Sequence, residues 1–147
     1  MEISICKTFT FEASHQLPFH DGKCRNLHGH SWKLEVEVSS EQLYLSGSKQ
    51  GMILDYVDLK SIVDSAVIDK LDHQDLNQFF ANPTSENVIQ HIWNTITDYL
   101  QANVTSRPNK VKLNRVRLWE TATLLQFKFY ENNRHIANQY RIRNKKF

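Results

Sequence analysis

His15, Cys24, His28 and His30, the last three in the segment Cys24-Arg25-Asn26-Leu27-His28-Gly29-His30, set a thiol among three imidazoles that could share one metal ion. Neutral imidazoles suit zinc, and three of them on one ion leave a fourth coordination position open. The thiol has two places in such a scheme. It is either a base or nucleophile beside the metal, or the fourth ligand of a closed structural site. A lone histidine on an apolar strand is ordinarily a hydrogen-bonded core or surface residue, so the argument for a metal rests on three converging.

The flanking residues say how they converge. Phe9, Phe11, Ala13 and His15 occupy alternate positions, and so do His28, His30, Trp32, Leu34, Val36 and Val38. Both runs have the period of a strand with one buried face. Side chains two apart project to the same side, which puts His28 and His30 together with Gly29 opposite. Pairing of the two strands as a hairpin would bring in His15, and the connection Gln16 to Leu27 is long enough to fold Cys24 back over the metal.

Two helices are expected next. Leu59, Ile62, Val63, Ala66 and Val67 keep helical spacing behind Asp55, a plausible cap, and the pattern ends near Leu71. Ile89, Ile92, Trp93, Ile96 and Leu100 mark a second helix, announced by Pro83-Thr84-Ser85-Glu86. Both stripes read as core. Val111, Leu113, Val116 and Leu118 suggest a strand, and Leu125, Phe127 and Phe129 another, with Glu120-Thr121-Ala122-Thr123 between them. The order is β-β-α-α-β-β, an α+β class, with Gln42 to Gly51 as a hairpin loop or insertion.

Polar residues that the core does not require complete the candidates. Asp72 and His73 adjoin just past the first helix, as a proton-shuttling pair or a solvated helix end. Glu120 follows Val116 and Leu118 on the same alternating face, so its carboxylate points where apolar groups point and needs a partner. Two adjacent N–H donors, as on the amino-pyrimidinone edge of a purine or pterin, would satisfy both oxygens. A salt bridge to Arg115 or Arg117 would serve equally.

With 147 residues and 40% hydrophobic content, one domain with its own core is expected. No apolar run approaches the length of a membrane span, and Met1-Glu2-Ile3-Ser4-Ile5 lacks the features of a signal peptide, so a cytoplasmic protein with reduced cysteines follows. Cys6 is read as structural. The net charge of +2 is uneven: residues 131–147 hold Arg134, Arg141, Arg143, Lys145 and Lys146 against one acid, leaving the rest net negative. The body is therefore no nucleic-acid binder by charge, and the basic tail is more readily solvated or packed on a subunit than bound to RNA.

Six pieces in order carry a family resemblance: Phe11-Glu12-Ala13-Ser14-His15, Cys24-x-x-x-His28-Gly29-His30, Gly51-Met52-Ile53-Leu54-Asp55-Tyr56, Leu71-Asp72-His73-Gln74-Asp75-Leu76-Asn77, Asn82-Pro83-Thr84-Ser85-Glu86-Asn87 and Glu120-Thr121. Together they resemble the 6-pyruvoyltetrahydropterin synthase and 6-carboxytetrahydropterin synthase family, over roughly residues 3 to 130. The resemblance implies a tunnelling fold (T-fold), in which a four-stranded antiparallel sheet with two helices on one face assembles into trimeric barrels that usually stack as a homohexamer. It implies that His15, His28 and His30 bind zinc, that Cys24 is the catalytic thiol, and that Asp72 and His73 form a second proton-transfer unit supplied by a neighbouring subunit. Glu120 would anchor a pterin with help from Thr84, Ser85 and Glu86. The three-residue spacer after Cys24 looks like the carboxy-forming synthases of the queuosine (7-deazaguanine) pathway, whereas pyruvoyl-forming relatives tend to a longer one. The implied reaction takes 7,8-dihydroneopterin triphosphate to 6-carboxytetrahydropterin with loss of triphosphate and acetaldehyde. Residues 1–130 would be the synthase domain, and the basic extension 131–147 matches nothing in the family core.

Overall fold

The protein is described by a computed structural model over residues 1–104 and 109–129. Strand β1 (Ile3–His15) and strand β2 (His28–Ser40) form a thirteen-pair antiparallel ladder from Ile3↔Ser40 to His15↔His28. Their alternation sends Phe9, Phe11, Ala13 and His15 of β1, with Trp32, Leu34, Val36 and Val38 of β2, to one buried face. Phe11 and Trp32, directly opposed in the ladder, stack at 5.9 Å with rings nearly parallel.

Helix α1 (Tyr56–Val63) starts where Asp55 accepts a hydrogen bond from the Val57 N–H at 2.8 Å, the cap expected from the sequence. A π-helical turn, Asp64–Ile68, and a last turn, α2 (Asp69–Leu71), extend it to the anticipated end. Helix α3 (Ser85–Val104) is capped by Thr84, whose carbonyl accepts from Val88 N–H and whose hydroxyl oxygen accepts from Asn87 N–H. Glu86 in its first turn complements the helix dipole. Leu59, Ile62, Val63, Ala66 and Val67 of the first helical segment, and Ile89, Ile92, Trp93, Ile96 and Leu100 of α3, are all buried against the sheet's apolar face. Both stripes are core, as their spacing implies.

Strands β4 (Lys112–Thr121) and β5 (Leu124–Phe129) follow α3 and continue the sheet antiparallel. The four long strands are those of the expected sheet, but the structure adds a fifth, two-residue strand β3 (Gln74–Asp75) pairing parallel to β1 at the edge, for an order β3-β1-β2-β4-β5. So short a strand has no periodicity to read, and its pairing is fixed by contacts of Asp72 and His73 with Glu12. Residues 105–108 and 130–147, the basic tail 131–147 among them, lie outside the described residues.

The sheet's other face is polar. Glu35 and Glu37 pair with Arg115 and Arg117, Lys112 reaches Glu2 at 2.8 Å, and Lys33 lies 4.5 Å from the centre of the Trp119 ring. This separation of apolar and charged faces decides which partners each side chain can find. Ile92, with no exposure at the centre of the core, sets the stability scale: Ile92→Ala is expected to cost about 2–5 kcal/mol, read as a lower denaturant midpoint with an unchanged slope.

Candidate functional site

The β1–β2 register does for the histidines what the alternation requires. His15 and His28 are direct partners in the ladder and His30 faces Ala13, two residues along, so the three rings share one face. Their centroids lie 4.6, 4.9 and 5.1 Å apart with the rings steeply tilted to one another. Trp32 forms the floor, edge-on to His15 at 5.4 Å and His30 at 5.7 Å, and its indole N–H donates to the Ala13 carbonyl.

Hydrogen bonds fix the tautomers. His15 is completely buried and its Nδ1 lies 2.8 Å from the Pro83 carbonyl oxygen; His28 Nδ1 lies 2.7 Å from that of Asn26. A carbonyl only accepts, so each Nδ1 carries a proton and, in the neutral ring, each Nε2 keeps its lone pair. Such an Nδ1–H to carbonyl bond is the usual outer support of a metal-binding imidazole. Nε2 of His15 and of His30 are buried and make no hydrogen bond. Two buried nitrogens that make no hydrogen bond cost free energy unless an electron acceptor occupies the point they face. Ligand atoms of His15, His28, His30 and Glu120 all lie within 4.8 Å of one another, a group able to hold a metal ion.

Glu120 enters this group from β4. It falls at an irregularity in the β4–β5 ladder, where the register shifts between Trp119 and Thr121, and bulges of this kind re-aim a side chain. Its Oε1 sits 3.1 Å from His15 Nε2 and 3.2 Å from His30 Nε2, and its Oε2 accepts a hydrogen bond from the buried Ser85 hydroxyl at 2.6 Å. The salt bridges to Arg115 or Arg117 weighed above do not form; both arginines point to the polar face and are engaged by Glu35 and Glu37. Burial pushes the Glu120 carboxyl up, but the His15 imidazole and the Ser85 hydroxyl outweigh it and the net position is below the usual range. For His15 burial favours the neutral ring, yet the Glu120 carboxylate and Pro83 carbonyl leave it raised, whereas burial dominates at His30 and lowers it.

The remaining candidates divide. Cys24 lies in a short 3-10 turn, Lys23–Arg25, half-buried in the loop between the two histidine-bearing strands; its carbonyl accepts from Leu17 N–H. Its sulfur is not among the clustered ligand atoms, so the fourth group that reaches the histidines is Glu120 rather than the thiol. Lys23 and Arg25 are exposed on either side of it. Cys6 is exposed on the polar face, where partial desolvation and the Glu35 carboxylate push its thiol up to about 11. Ser85 joins the cluster through Glu120, while Thr84 caps α3 and Glu86 sits half-exposed in its first turn.

Asp72 and His73 stand at the β1 edge and are not among the clustered ligands. Asp72 Oδ1 accepts from Glu12 N–H at 2.8 Å, its Oδ2 lies 3.0 Å from His73 Nδ1, and His73 N–H donates to the Glu12 carbonyl at 2.6 Å. His73 takes φ +57, a left-handed conformation that is unusual for a non-glycine residue and a mark of backbone held for a purpose. The pair is a folded unit on the strand edge, not a frayed helix end. Sequence reasoning missed the Pro83 carbonyl on His15 and the Glu12 backbone on Asp72, because main-chain partners leave no trace in residue type.

A profile described as 6-pyruvoyl tetrahydropterin synthase matches residues 4–131. The chain belongs to the 6-pyruvoyl tetrahydropterin synthase family. It is similar to a protein of Haemophilus influenzae named 6-carboxy-5,6,7,8-tetrahydropterin synthase, 38% identical over 141 residues, which covers 81% of this chain and 93% of that one. A Synechocystis protein of the same name is 47% identical over 91 residues, 60% of this chain and 70% of its own. Among solved structures, 6-pyruvoyl tetrahydropterin synthase of Caenorhabditis elegans superposes with a TM-score of 0.71 at 25% identity, covering 89% of this chain and 97% of that one. The family's fold is thus the α+β T-fold found here, and the chain is an enzyme of the 6-carboxytetrahydropterin synthase-like kind. No helix among the described residues is long and apolar enough to cross a membrane.

The Glu12 N–H and His73 together hold the Asp72 carboxyl below its ordinary range. A lowered folded-state pKa contributes stability above the ordinary carboxylate pKa and loses it as pH falls through the folded value. Wild type is therefore expected to exceed Asp72→Asn in denaturant midpoint at pH 7, with the gap closing as the pH is taken down through the acid range.

Proposed function

We propose that this protein is a zinc-dependent lyase that converts 7,8-dihydroneopterin triphosphate to 6-carboxy-5,6,7,8-tetrahydropterin, releasing acetaldehyde and triphosphate, in the cytoplasmic route to queuosine and other 7-deazaguanines. The observation that carries the reading is the pair of buried Nε2 atoms on His15 and His30 that make no hydrogen bond and cluster with His28 and Glu120, in a chain aligned along most of its length with a protein named for that product. Neutral nitrogen ligands in a tight cluster fit zinc. When bound, the ion would act as a Lewis acid on the substrate's side-chain oxygens.

The chain's own residues would supply the rest. His15, His28 and His30 would hold the ion. Cys24, half-buried in the loop between the two histidine-bearing strands, would take and return protons as a general base. Asp72 and His73, exposed enough to reach beyond their own chain, would serve a neighbouring subunit as its second proton-transfer unit, with active sites at subunit interfaces of a homohexamer built from two trimers. Glu120 would accept from the two adjacent N–H groups of the pterin, and Thr84, Ser85 and Glu86 at the start of α3 would border the ring. Residues 1–130 would form the catalytic domain, and the basic tail 131–147 would lie outside it.

The test is incubation of the zinc-loaded protein with 7,8-dihydroneopterin triphosphate, with products identified by mass spectrometry beside an acetaldehyde assay. Carboxytetrahydropterin with acetaldehyde supports the proposal; pyruvoyltetrahydropterin would transfer the protein to the sister activity, and absence of turnover would sink it. Cys24→Ala is expected to lower turnover by at least about a hundredfold, the usual scale for a positioned acid or base, while retaining its zinc. Loss of the metal in that variant would make the thiol a ligand instead.

A further inference from the structure

Glu120 is placed where one function does not account for it. A residue reserved for a substrate edge would be expected to turn both oxygens away from the histidines, yet Oε1 of Glu120 lies among three imidazole nitrogens while Oε2 is held by Ser85. The separations identify what kind of contact this is. In a tetrahedral site with bonds of about 2.0–2.1 Å, neighbouring ligand atoms are about 3.3 Å apart. Glu120 Oε1 stands at 3.1 and 3.2 Å from two of the nitrogens. Neither contact is aligned as an ordinary hydrogen bond, and the oxygen stands beside both nitrogens at once. That is the relation of two ligands sharing an ion.

We infer that Glu120 is a displaceable fourth ligand of the metal, closing the centre before substrate arrives, and that Ser85 is its positioning residue. The inference rests on the reading that His15, His28 and His30 hold a metal. Charge favours it: three neutral imidazoles around a divalent cation, over a Trp32 floor with no exposure, leave the full charge in a low-dielectric site, and one carboxylate halves it. Geometry supports it independently. The buried Ser85 hydroxyl occupies Oε2 at 2.6 Å, so that only Oε1 is turned to the histidines, and the bulge at Glu120 aims the side chain there.

One carboxylate cannot at once close the metal and receive both N–H groups of a pterin. Substrate binding would therefore take Glu120 off the metal and open the fourth position in the same movement, keeping the Lewis acid covered when the site holds no pterin.

The experiment is a Zn2+ affinity measurement by chelator competition on the full chain, for wild type, Glu120→Gln and Ser85→Ala, with circular dichroism to show that each is folded. Loss of an outer support costs metal affinity about 10–100-fold, so Ser85→Ala is expected to weaken Zn2+ about tenfold and Glu120→Gln by more. A folded Glu120→Gln whose affinity stays within tenfold of wild type overturns the inference. Should that variant fail to fold, zinc-edge X-ray absorption on wild type decides: three imidazoles and a carboxylate oxygen support the inference, three imidazoles with water alone overturn it. The two readings fail separately. Turnover with a Glu120-independent affinity removes only this one, and a Glu120-dependent affinity without lyase turnover removes only the assigned reaction.

Discussion

Everything at the site depends on the register of one antiparallel ladder. With His15 opposite His28, the alternation of both strands places His30 on the same face and Trp32 beneath it, and the same alternation drives Phe9, Phe11, Leu34, Val36 and Val38 into the core. A slip of one residue would send the histidines to the charged face and the charged residues to the core, so the burial that stabilises the sheet also enforces the geometry of the histidine cluster. The site needs no separate folding device. It is the last three positions of a strand pair whose register the core has already fixed.

The second constraint is the segregation of charge. Glu35, Glu37, Arg115 and Arg117 satisfy one another across β2 and β4 on the polar face. Their mutual pairing leaves no cation for Glu120 on the apolar face, where the available partners are imidazoles and a serine hydroxyl. A buried carboxylate in such company is stabilised by whatever positive charge enters the cluster. Among the described residues, the polar face thus shapes the electrostatics of the site by what it withholds.

Much of this was legible in the residues. Period-two alternation marked β1, β2 and β4 and put Glu120 on the inner face; the apolar stripes marked the helices, and Asp55 was readable as a cap because its chemistry is local. What escaped involved the backbone or an irregularity. The π-turn at Asp64–Ile68 sits inside a pattern that reads as plain helix, and β3 is too short for any period. The bulge at Glu120 changes where the carboxylate ends up without changing its face, so a sequence that correctly turned Glu120 inward could not say that it would meet His15 and His30. Pro83 was read as a helix-start marker, whereas its carbonyl also fixes the His15 tautomer.

That double use shows how the elements are coupled. Pro83 immediately precedes the Thr84 cap and Ser85, the first residue of α3, so three consecutive residues respectively orient His15, terminate the helix and hold Glu120. The helix is anchored in turn by Val88, Ile89, Ile92 and Ile96 against the sheet that carries the histidines. A shift of α3 along the sheet would therefore release the His15 ring and the Glu120 carboxylate together. Because close-packed cores resist small displacements, both groups are held at the tolerance of the core rather than of a loop. Cys24 is treated differently: it rides on the exposed connection between β1 and β2, tied by the Leu17 to Cys24 main-chain bond and flanked by Lys23 and Arg25. The histidine cluster is thus held by the core, whereas the thiol is held by a loop.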